Sequence, residues 1–306
     1  MEPKEAHMAT VQAGARIALK NILYLTDFSE PSDAALPYAA EVARGFGAKI
    51  YAFHVLIPSP LIYATPEGTA LGIVAEEEAA QANMQKVDAA LVGLTHETIV
   101  ERGVGVWPSL EHAVKEYRID LIVLGTHGRT GAPRLLLGSV AEEIFRRSHV
   151  PVMTIGPWAR KGLHQAARFR RVLFPTDFSP ASLAAAPYAM SMAQENQARL
   201  ILLHVVPGPE QPPGDKRAED VAADVTRRLH ELVPAEAELW CRPETIVQHG
   251  KPGERILDTA KATGADLIVL GVRSAGGHVG VATHVQRTTA HQVVAHATCP
   301  VLTVCG

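Results

Sequence analysis

The chain has 306 residues, of which 47% are hydrophobic and only 5% aromatic, and its formal net charge is −3. This charge offers no basic footprint for nucleic acid, and no apolar run approaches the roughly 18 residues that cross a membrane. The N-terminus lacks the continuous apolar stretch of a signal peptide. The second half contains three cysteines that are interpreted as unpaired buried residues, namely Cys241, Cys299 and Cys305. We therefore expect a cytoplasmic protein.

A loose leader over residues 1–18 precedes the first predicted element. In the first half, short apolar runs alternate with longer Ala-rich segments. The predicted strands cover 21–26, 48–56, 97–102, 120–125 and 150–155, and the predicted helices cover 30–46, 75–93, 107–118 and 138–148. This alternation predicts βαβ units and a parallel sheet with helices on both faces. A ligand of such a sheet lies at the carboxyl ends of the strands.

The second half repeats the first. Residues 157–170 are basic and lack apolar periodicity, and strands are then predicted near 171–176, 198–206, 237–248, 266–271 and 300–304. Residues 22–56 align without a gap on 172–206, and the segment DLIVLG occurs in both halves. A repeat near 150 residues has the length of a whole domain. We therefore predict two duplicated, doubly wound α/β domains of Rossmann-like type at 19–157 and 170–306, joined by a linker at 158–169.

The loop after the fourth strand is the first candidate for binding. Gly125 and Gly128 leave no Cβ where the backbone turns and where a ribose or phosphate can approach, and Gly138-Ser139 then opens a helix. The start of a helix offers unpaired N–H groups to an anion. A purely structural alternative is that Ser139 and Glu142 form a capping box. The chain has neither a dinucleotide fingerprint nor a P-loop.

The spacing G-x2-G-x9-G-[ST] at Gly125, Gly128, Gly138 and Ser139 resembles the ATP-binding signature of the universal stress protein family. The resemblance covers about residues 20–156 and, more weakly, 170–305, so the chain is similar to a tandem universal stress protein. It implies a five-stranded parallel sheet in each domain, with an adenine nucleotide across the strand ends. It also implies that the two halves pair through their last strands as an internal pseudo-dimer.

The resemblance assigns a role to each matching residue of the first domain. The adenine end of the nucleotide would be held by Asp27 and the Val55 backbone. Its ribose and phosphates would be held by Gly125, Gly128, Gly138 and Ser139, and Arg129 would lie within reach of the phosphates. Three alternatives stay open. Asp27 could merely order the loop before Ser29, a predicted N-cap. Val55 could be part of the core, and Arg129 a solvated charge.

The second domain departs from this pattern. Its corresponding residues are Asp177, Val205, Gly271, Arg287 and Thr288, with Ser274 in place of Gly128. Arg287 takes the position of Gly138, where a phosphate should touch bare backbone. We therefore predict a degenerate second site that binds ATP weakly or not at all, and one hypothesis is that the Arg287 guanidinium occupies the anion position.

The loops after the second strands also differ between the halves. Residues 57–75 are apolar in the first half and are interpreted as a lid, a partner surface or a docking segment on the companion domain. Four histidines crowd the second half, at 278, 284, 291 and 296, but they lack the i, i+4 spacing of a helical zinc site, so no protein metal site is predicted.

The function expected from the sequence is a cytoplasmic, ATP-binding, stress-response regulatory protein. Its cofactor is ATP, alone or with Mg²⁺, and its partners are an adenine nucleotide and a second copy of the chain, with no nucleic acid and no membrane. The alternatives are a slow ATPase and a nucleotide-free scaffold or carrier of an apolar ligand. No residue stands out as a catalytic base, so no catalytic residue is predicted.

Overall fold

A computed structural model describes residues 16–57, 66–126, 137–159, 167–209, 216–235, 237, 243–273 and 288–306. The first half contains five strands and the helices between them. The strands are β1 (Asn21–Leu25), β2 (Lys49–Leu56), β3 (His96–Arg102), β4 (Leu121–Gly125) and β5 (Val152–Ile155). The helices are α1 (Glu30–Asp33), α2 (Leu36–Phe46), α3 (Pro66–Ala90), α4 (Val106–Glu116) and α5 (Ser139–Arg147).

The second half repeats this order of elements. Its strands are β6 (Arg171–Pro175), β7 (Arg199–Val206), β8 (Glu244–His249), β9 (Leu267–Val272) and β10 (Val301–Cys305). Its helices are α6 (Pro180–Leu183), α7 (Ala186–Glu195), α8 (Lys216–Glu231), α9 (Pro252–Thr263) and α10 (Thr289–His296). The predicted α/β class with two duplicated, doubly wound halves is confirmed.

Within the described residues, all ten strands form one sheet in the order β3-β2-β1-β4-β5-β10-β9-β6-β7-β8. Each half contributes five parallel strands, and the two last strands, β5 and β10, pair antiparallel at the centre. Two threonines reinforce this seam: Thr154 Oγ1 donates to the Val301 carbonyl at 3.3 Å, and Thr303 Oγ1 donates to the Val152 carbonyl at 3.1 Å. Because β5 and β10 are antiparallel, the strands of the first half end along one edge of the sheet and those of the second half end along the opposite edge.

Helices cover both faces of the sheet. One face carries α2, α3, α7 and α8 over an apolar cluster that includes residues of both halves, such as Tyr24, Met153 and Phe174. The other face carries α4, α5, α9 and α10 over a second cluster that also spans both halves. The inner strands are largely buried on both faces, which explains their continuous apolar sequences, whereas β3 and β8 at the outer edges are only partly buried.

The two segments before β1 and β6 cross to the opposite half. The Ile17 N–H donates to Ser191 Oγ of α7 at 3.2 Å, and Leu19 is buried in the shared cluster. On the other side Phe169, which precedes β6, lies 6.1 Å from Tyr38 of α2 between ring centroids. The described part of the expected leader therefore packs on the second half.

Three predicted elements differ from the structure. The prediction of a single helix at 30–46 is wrong, because this segment forms two helices, α1 and α2. Pro37 explains the division, since it lacks an N–H and its ring would clash with the carbonyl four residues earlier in a continuous helix. The helix predicted at 75–93 begins already at Pro66, so much of the loop expected at 57–75 is helical, and 58–65 lie outside the described residues. Of the strand expected at 237–248, Glu244–His249 is observed as strand, residues 237 and 243 are not strand, and 238–242 lie outside the described residues.

Candidate functional site

A cavity of about 250 Å³ lies at the carboxyl ends of β1, β2 and β4, at the place where the fold predicts a ligand. Its described walls bring together five of the seven residues predicted for the first site. They are Asp27, Val55, Gly125, Gly138 and Ser139. Gly128 and Arg129, the other two, lie outside the described residues. The remaining walls come from Leu25, Thr26, Ser32, His54, Val106, Leu124, Thr126, Val140 and Ala141.

The turn after β1 fixes the position of the Asp27 carboxylate. Asp27 Oδ1 accepts the Ser29 N–H at 3.0 Å and the Ser29 hydroxyl at 2.5 Å. Ser29 in turn is the N-cap of α1 and accepts the Ser32 N–H. Asp27 therefore orders the loop before Ser29, which was the structural alternative to ligand contact. The residue also lines the cavity. The two roles are compatible because a carboxylate has several lone pairs.

The same turn contains a strained aromatic residue. Phe28 has φ = 60°, a conformation that bulky side chains rarely adopt. Its N–H donates to Thr26 Oγ1 at 3.0 Å, and its ring lies 4.3 Å from the His54 ring between centroids. His54 Nδ1 donates to the Thr26 carbonyl at 2.8 Å. These contacts hold the turn rigid, so His54 stabilises the cavity wall.

Gly125 is required by the packing of α1 on the end of β4. A Cβ at this residue would lie 2.5 Å from the Pro31 carbonyl oxygen, which is far inside van der Waals contact. In the second half, a Cβ at Gly271 would lie 2.1 Å from the Ala181 carbonyl oxygen of α6. The expected reason for this glycine was room for a ribose or phosphate. The structure gives a sufficient reason within the fold.

Thr126 follows β4 directly and connects the end of this strand to β5 and to the start of α5. The Thr126 N–H donates to the Ile155 carbonyl at 2.9 Å, and the Gly138 N–H donates to the Thr126 carbonyl at 2.8 Å. These two bonds bring the start of α5 beside the ends of β4 and β5. Ser139, Val140 and Ala141, the first three residues of α5, consequently line the cavity.

The capping-box interpretation of Ser139 is wrong. The N-cap of α5 is Gly138, with φ = −62° and ψ = 148°, and Ser139 is the first helical residue. Among the described residues, no side chain caps this helix. The start of α5 therefore lines the cavity, and the N–H groups of its first turn have no side-chain cap among the described residues.

Burial and charge perturb two groups beside the site. The pKa of Asp33 is raised, first by burial and then by the negative charge of Asp27, while Lys86 acts in the opposite direction. Burial also raises the pKa of Tyr24 well above its usual value, so its hydroxyl stays protonated and donates to the Ser32 carbonyl at 2.9 Å. These groups support the wall of the cavity from behind.

Several wall residues were not singled out from the sequence. Thr26 and Ser32 recur in the second half as Thr176 and Ser182, and that identity was an available signal. Thr126 follows Gly125 directly, and its counterpart is Val272. Val106 and Val140 carry no sequence signal of this kind, because only the tertiary structure places α4 and α5 at the same edge.

The second half presents the corresponding residues at the opposite edge of the sheet. Asp177, Val205 and Gly271 occupy the equivalent strand ends, and Thr288 is the N-cap of α10. Arg287 and Ser274 lie outside the described residues, so the hypothesis of an Arg287 plug stays a prediction. Two of the four histidines, His278 and His284, lie there too. Across the described ranges, no three His, Cys, Asp or Glu side chains are grouped as metal ligands.

A larger groove of about 510 Å³ lies between α3 and β3, away from the predicted residues. Exposed Glu and Gln side chains of α3 line one side, and an ion pair between Arg102 and Glu77 spans it. It includes Leu56 and Arg102, the last residues of β2 and β3, but its described walls contain no start of a helix and none of the residues predicted for the site. We therefore place the candidate site in the smaller cavity.

No described helix is both long and apolar enough to cross a membrane.

Comparisons with known proteins agree with this architecture. The model of the universal stress protein family matches residues 18–156 and again 168–304. A universal stress protein of Mycolicibacterium smegmatis is 30% identical over 302 residues, which cover 92% of this chain and 96% of its own. One from Methanocaldococcus jannaschii is 36% identical over 140 residues, which cover 44% of this chain and 81% of its own. The crystal structure of a universal stress protein from Archaeoglobus fulgidus covers 93% of this chain and 97% of its own, with a TM-score of 0.66 and 24% identity.

Proposed function

Because the chain belongs to the universal stress protein family and contains two of its domains, we propose that it is an ATP-binding stress-response regulator. ATP binds in the first domain, and the second domain serves as its pseudo-dimer partner. The observation that carries this proposal is the strand-end cavity, which joins the fixed Asp27 carboxylate to the start of α5.

The base end of the cavity suits adenine. Asp27 offers a hydrogen-bond acceptor whose orientation is set by two bonds from Ser29, and an exocyclic amine or a ribose hydroxyl is the matching donor. Leu25, Val55, Val106 and Leu124 provide apolar surface for a flat ring. A mostly apolar pocket with a few directed polar groups is typical of a small-molecule site.

The other end suits phosphate. The first N–H groups of α5 and the partial positive charge of its N-terminus attract an anion. Gly138 has a backbone conformation that every residue tolerates, so its missing side chain is not required by the turn. Bare backbone at this position is explained by close approach of a ligand, and Gly138 is therefore the residue that we expect to select for phosphate.

The pseudo-dimer role is supported by the seam of the sheet. β5 and β10 pair antiparallel, and the apolar clusters on both faces include residues of each half. The second domain thus covers the sheet edge that the first domain would otherwise expose. Through this seam, nucleotide occupancy of the first domain can influence the surface of the whole chain.

Isothermal calorimetry with ATP tests the proposal on the full chain. We expect one ATP per chain, little phosphate release, and no ATP binding by Gly138→Arg, which introduces the residue found in the second domain. The variant should retain its fold because φ and ψ at this position suit an arginine. Gly156→Ala is the control, since its Cβ would meet no atom closer than 3.6 Å, and it should bind ATP normally.

The alternatives give different results in the same experiment. Steady phosphate release that depends on ATP would support a slow ATPase. Absence of ATP binding by the wild type would reject the proposal in favour of a nucleotide-free scaffold or apolar-ligand carrier. Two ATP per chain would show that the second site is competent.

A further inference from the structure

The second domain keeps most hydrogen bonds of the turn after its first strand. The Phe178 N–H donates to Thr176 Oγ1 at 3.0 Å, and the Ser179 N–H donates to Asp177 Oδ1 at 2.9 Å. His204 Nδ1 donates to the Thr176 carbonyl at 2.8 Å, the distance found in the first domain. Phe178 has φ = 61°, so the strained conformation is kept as well.

The residues that line the first cavity fall into a retained group and a changed group. Eight of them have identical counterparts in the second domain, mostly at the ends of the strands. These counterparts are Thr176, Asp177, Ser182, His204, Val205, Leu270, Gly271 and Ala290. The retained group thus contains the acceptor carboxylate and two of the four apolar residues that we assign to the base, Val205 and Leu270, whereas Pro175 stands in place of Leu25.

Apart from the counterparts of Leu25 and Val106, the changed group lies where we place the phosphates. Val272 replaces Thr126 and lacks its hydroxyl, and Thr289 replaces Val140. Counted back from Pro151 and Pro300, α10 begins one residue later than α5. Its N-cap, Thr288, accepts the His291 N–H at 3.2 Å. A phosphate at this helix would therefore compete with a hydroxyl that already satisfies one of the terminal N–H groups.

The Asp177 carboxylate is available as an acceptor. It is exposed at the end of β6, whereas Asp27 is partly buried. Burial by itself raises the pKa of Asp177, but hydrogen bonds from Ser179, Ser182 and its own backbone together outweigh burial and hold the pKa below its usual value. The carboxylate is consequently ionised at neutral pH and can accept a hydrogen bond from an amine or a hydroxyl.

We propose that the second domain binds an adenine nucleoside without phosphates, at the strand ends formed by Asp177, Val205 and Gly271. The inference rests on the function proposed for the first domain, whose base-end residues it shares. The retained strand ends recognise base and ribose, and the changed start of α10 discriminates against the phosphates. The chain then carries one nucleotide site and one nucleoside site at opposite edges of the sheet.

Calorimetric titrations of the full chain with adenosine and with ATP test this proposal. We expect two adenosine but one ATP per wild-type chain, since the first domain accepts the nucleoside part of its own ligand. Asp177→Asn should weaken the second adenosine at least tenfold and leave the ATP titration unchanged. Asn keeps one oxygen for the Ser179 N–H and places an NH2 donor where the ligand needs an acceptor.

Asp27→Asn is the matched control and should have the opposite effect, with one adenosine remaining and ATP binding weakened. Retained ATP binding by Asp177→Asn shows that this variant is folded. The nucleoside proposal is wrong if the wild type binds a single adenosine, if Asp177→Asn leaves the adenosine titration unchanged, or if a second ATP binds with sensitivity to Asp177→Asn. Failure of the ATP proposal differs from all three, because the wild type would then bind no ATP while its second adenosine stayed sensitive to Asp177→Asn.

Discussion

At the scale of single residues, identity between the two halves has structural as well as functional causes. Gly125 and Gly271 are both pressed against the backbone of the helix that follows the first strand. Asp120 Oδ2 accepts the backbone N–H groups of Lys20 and Asn21, and Asp266 accepts the corresponding pair in the second half. Repetition by itself therefore does not identify a ligand contact.

Substitution of Gly125 by alanine tests this steric requirement. The new Cβ would lie 2.5 Å from the Pro31 carbonyl oxygen, so backbone must move, and we expect a loss of about 1–3 kcal/mol in the free energy of unfolding. Urea denaturation measures the change. Gly156→Ala, with its nearest neighbour at 3.6 Å, should change stability much less. Equal effects of the two variants would contradict the steric explanation.

At the scale of elements, the two domains differ most clearly in how their last helices begin. The backbone dihedrals at the N-caps are nearly the same, with φ = −62° at Gly138 and −61° at Thr288. Only Thr288 supplies a side-chain acceptor to its own helix. The start of α5 is therefore less well satisfied internally, and this difference suits a helix that receives an anion.

Removal of each hydroxyl tests the assignment of the caps. Thr288→Ala should lower the free energy of unfolding by about 1 kcal/mol, because the His291 N–H loses its acceptor. Ser139→Ala should have little effect on the stability of the ligand-free chain, because Ser139 is not the N-cap. Both changes are measured by urea denaturation without nucleotide. A large loss in Ser139→Ala would instead favour the capping box.

At the scale of the whole molecule, the two halves form one structural unit. The sheet is continuous through β5 and β10, and the segment before each first strand packs on the opposite half. Because this seam is antiparallel, the strands of the two halves end at opposite edges of the sheet, and the two candidate sites lie at those edges. A single ligand therefore does not bridge both sites, and any communication between them must pass through the shared core.

A substitution at the seam should destabilise both halves together. Leu302 is fully buried and pairs with Met153 across the seam, so Leu302→Ala should cost about 2–5 kcal/mol. Hydrogen exchange of β2 and β7 amides in increasing urea measures each half separately. We expect both strands to lose protection at the same lowered urea concentration. Loss of protection in β7 alone would show that the halves unfold independently.

The sequence by itself determined the architecture of each half and the edge at which the candidate cavity lies. Alternation of apolar runs and Ala-rich segments is a local property, and it predicted nine of the ten strands to within a few residues, while part of the strand predicted at 237–248 lies outside the described residues. The repeat identified the two domains, and the glycine spacing identified the loop after β4. These features depend on neighbours in the chain, so they are visible without coordinates.

The tertiary structure decided which contacts those elements make. Nothing local shows that Gly125 meets Pro31 or that the start of α5 is pinned to Thr126. It also decided that α10 begins after Thr288, one residue later in the alignment of the two halves than α5, which begins after Gly138. The physical reason is that these outcomes depend on packing between segments far apart in the chain, which sequence periodicity does not record.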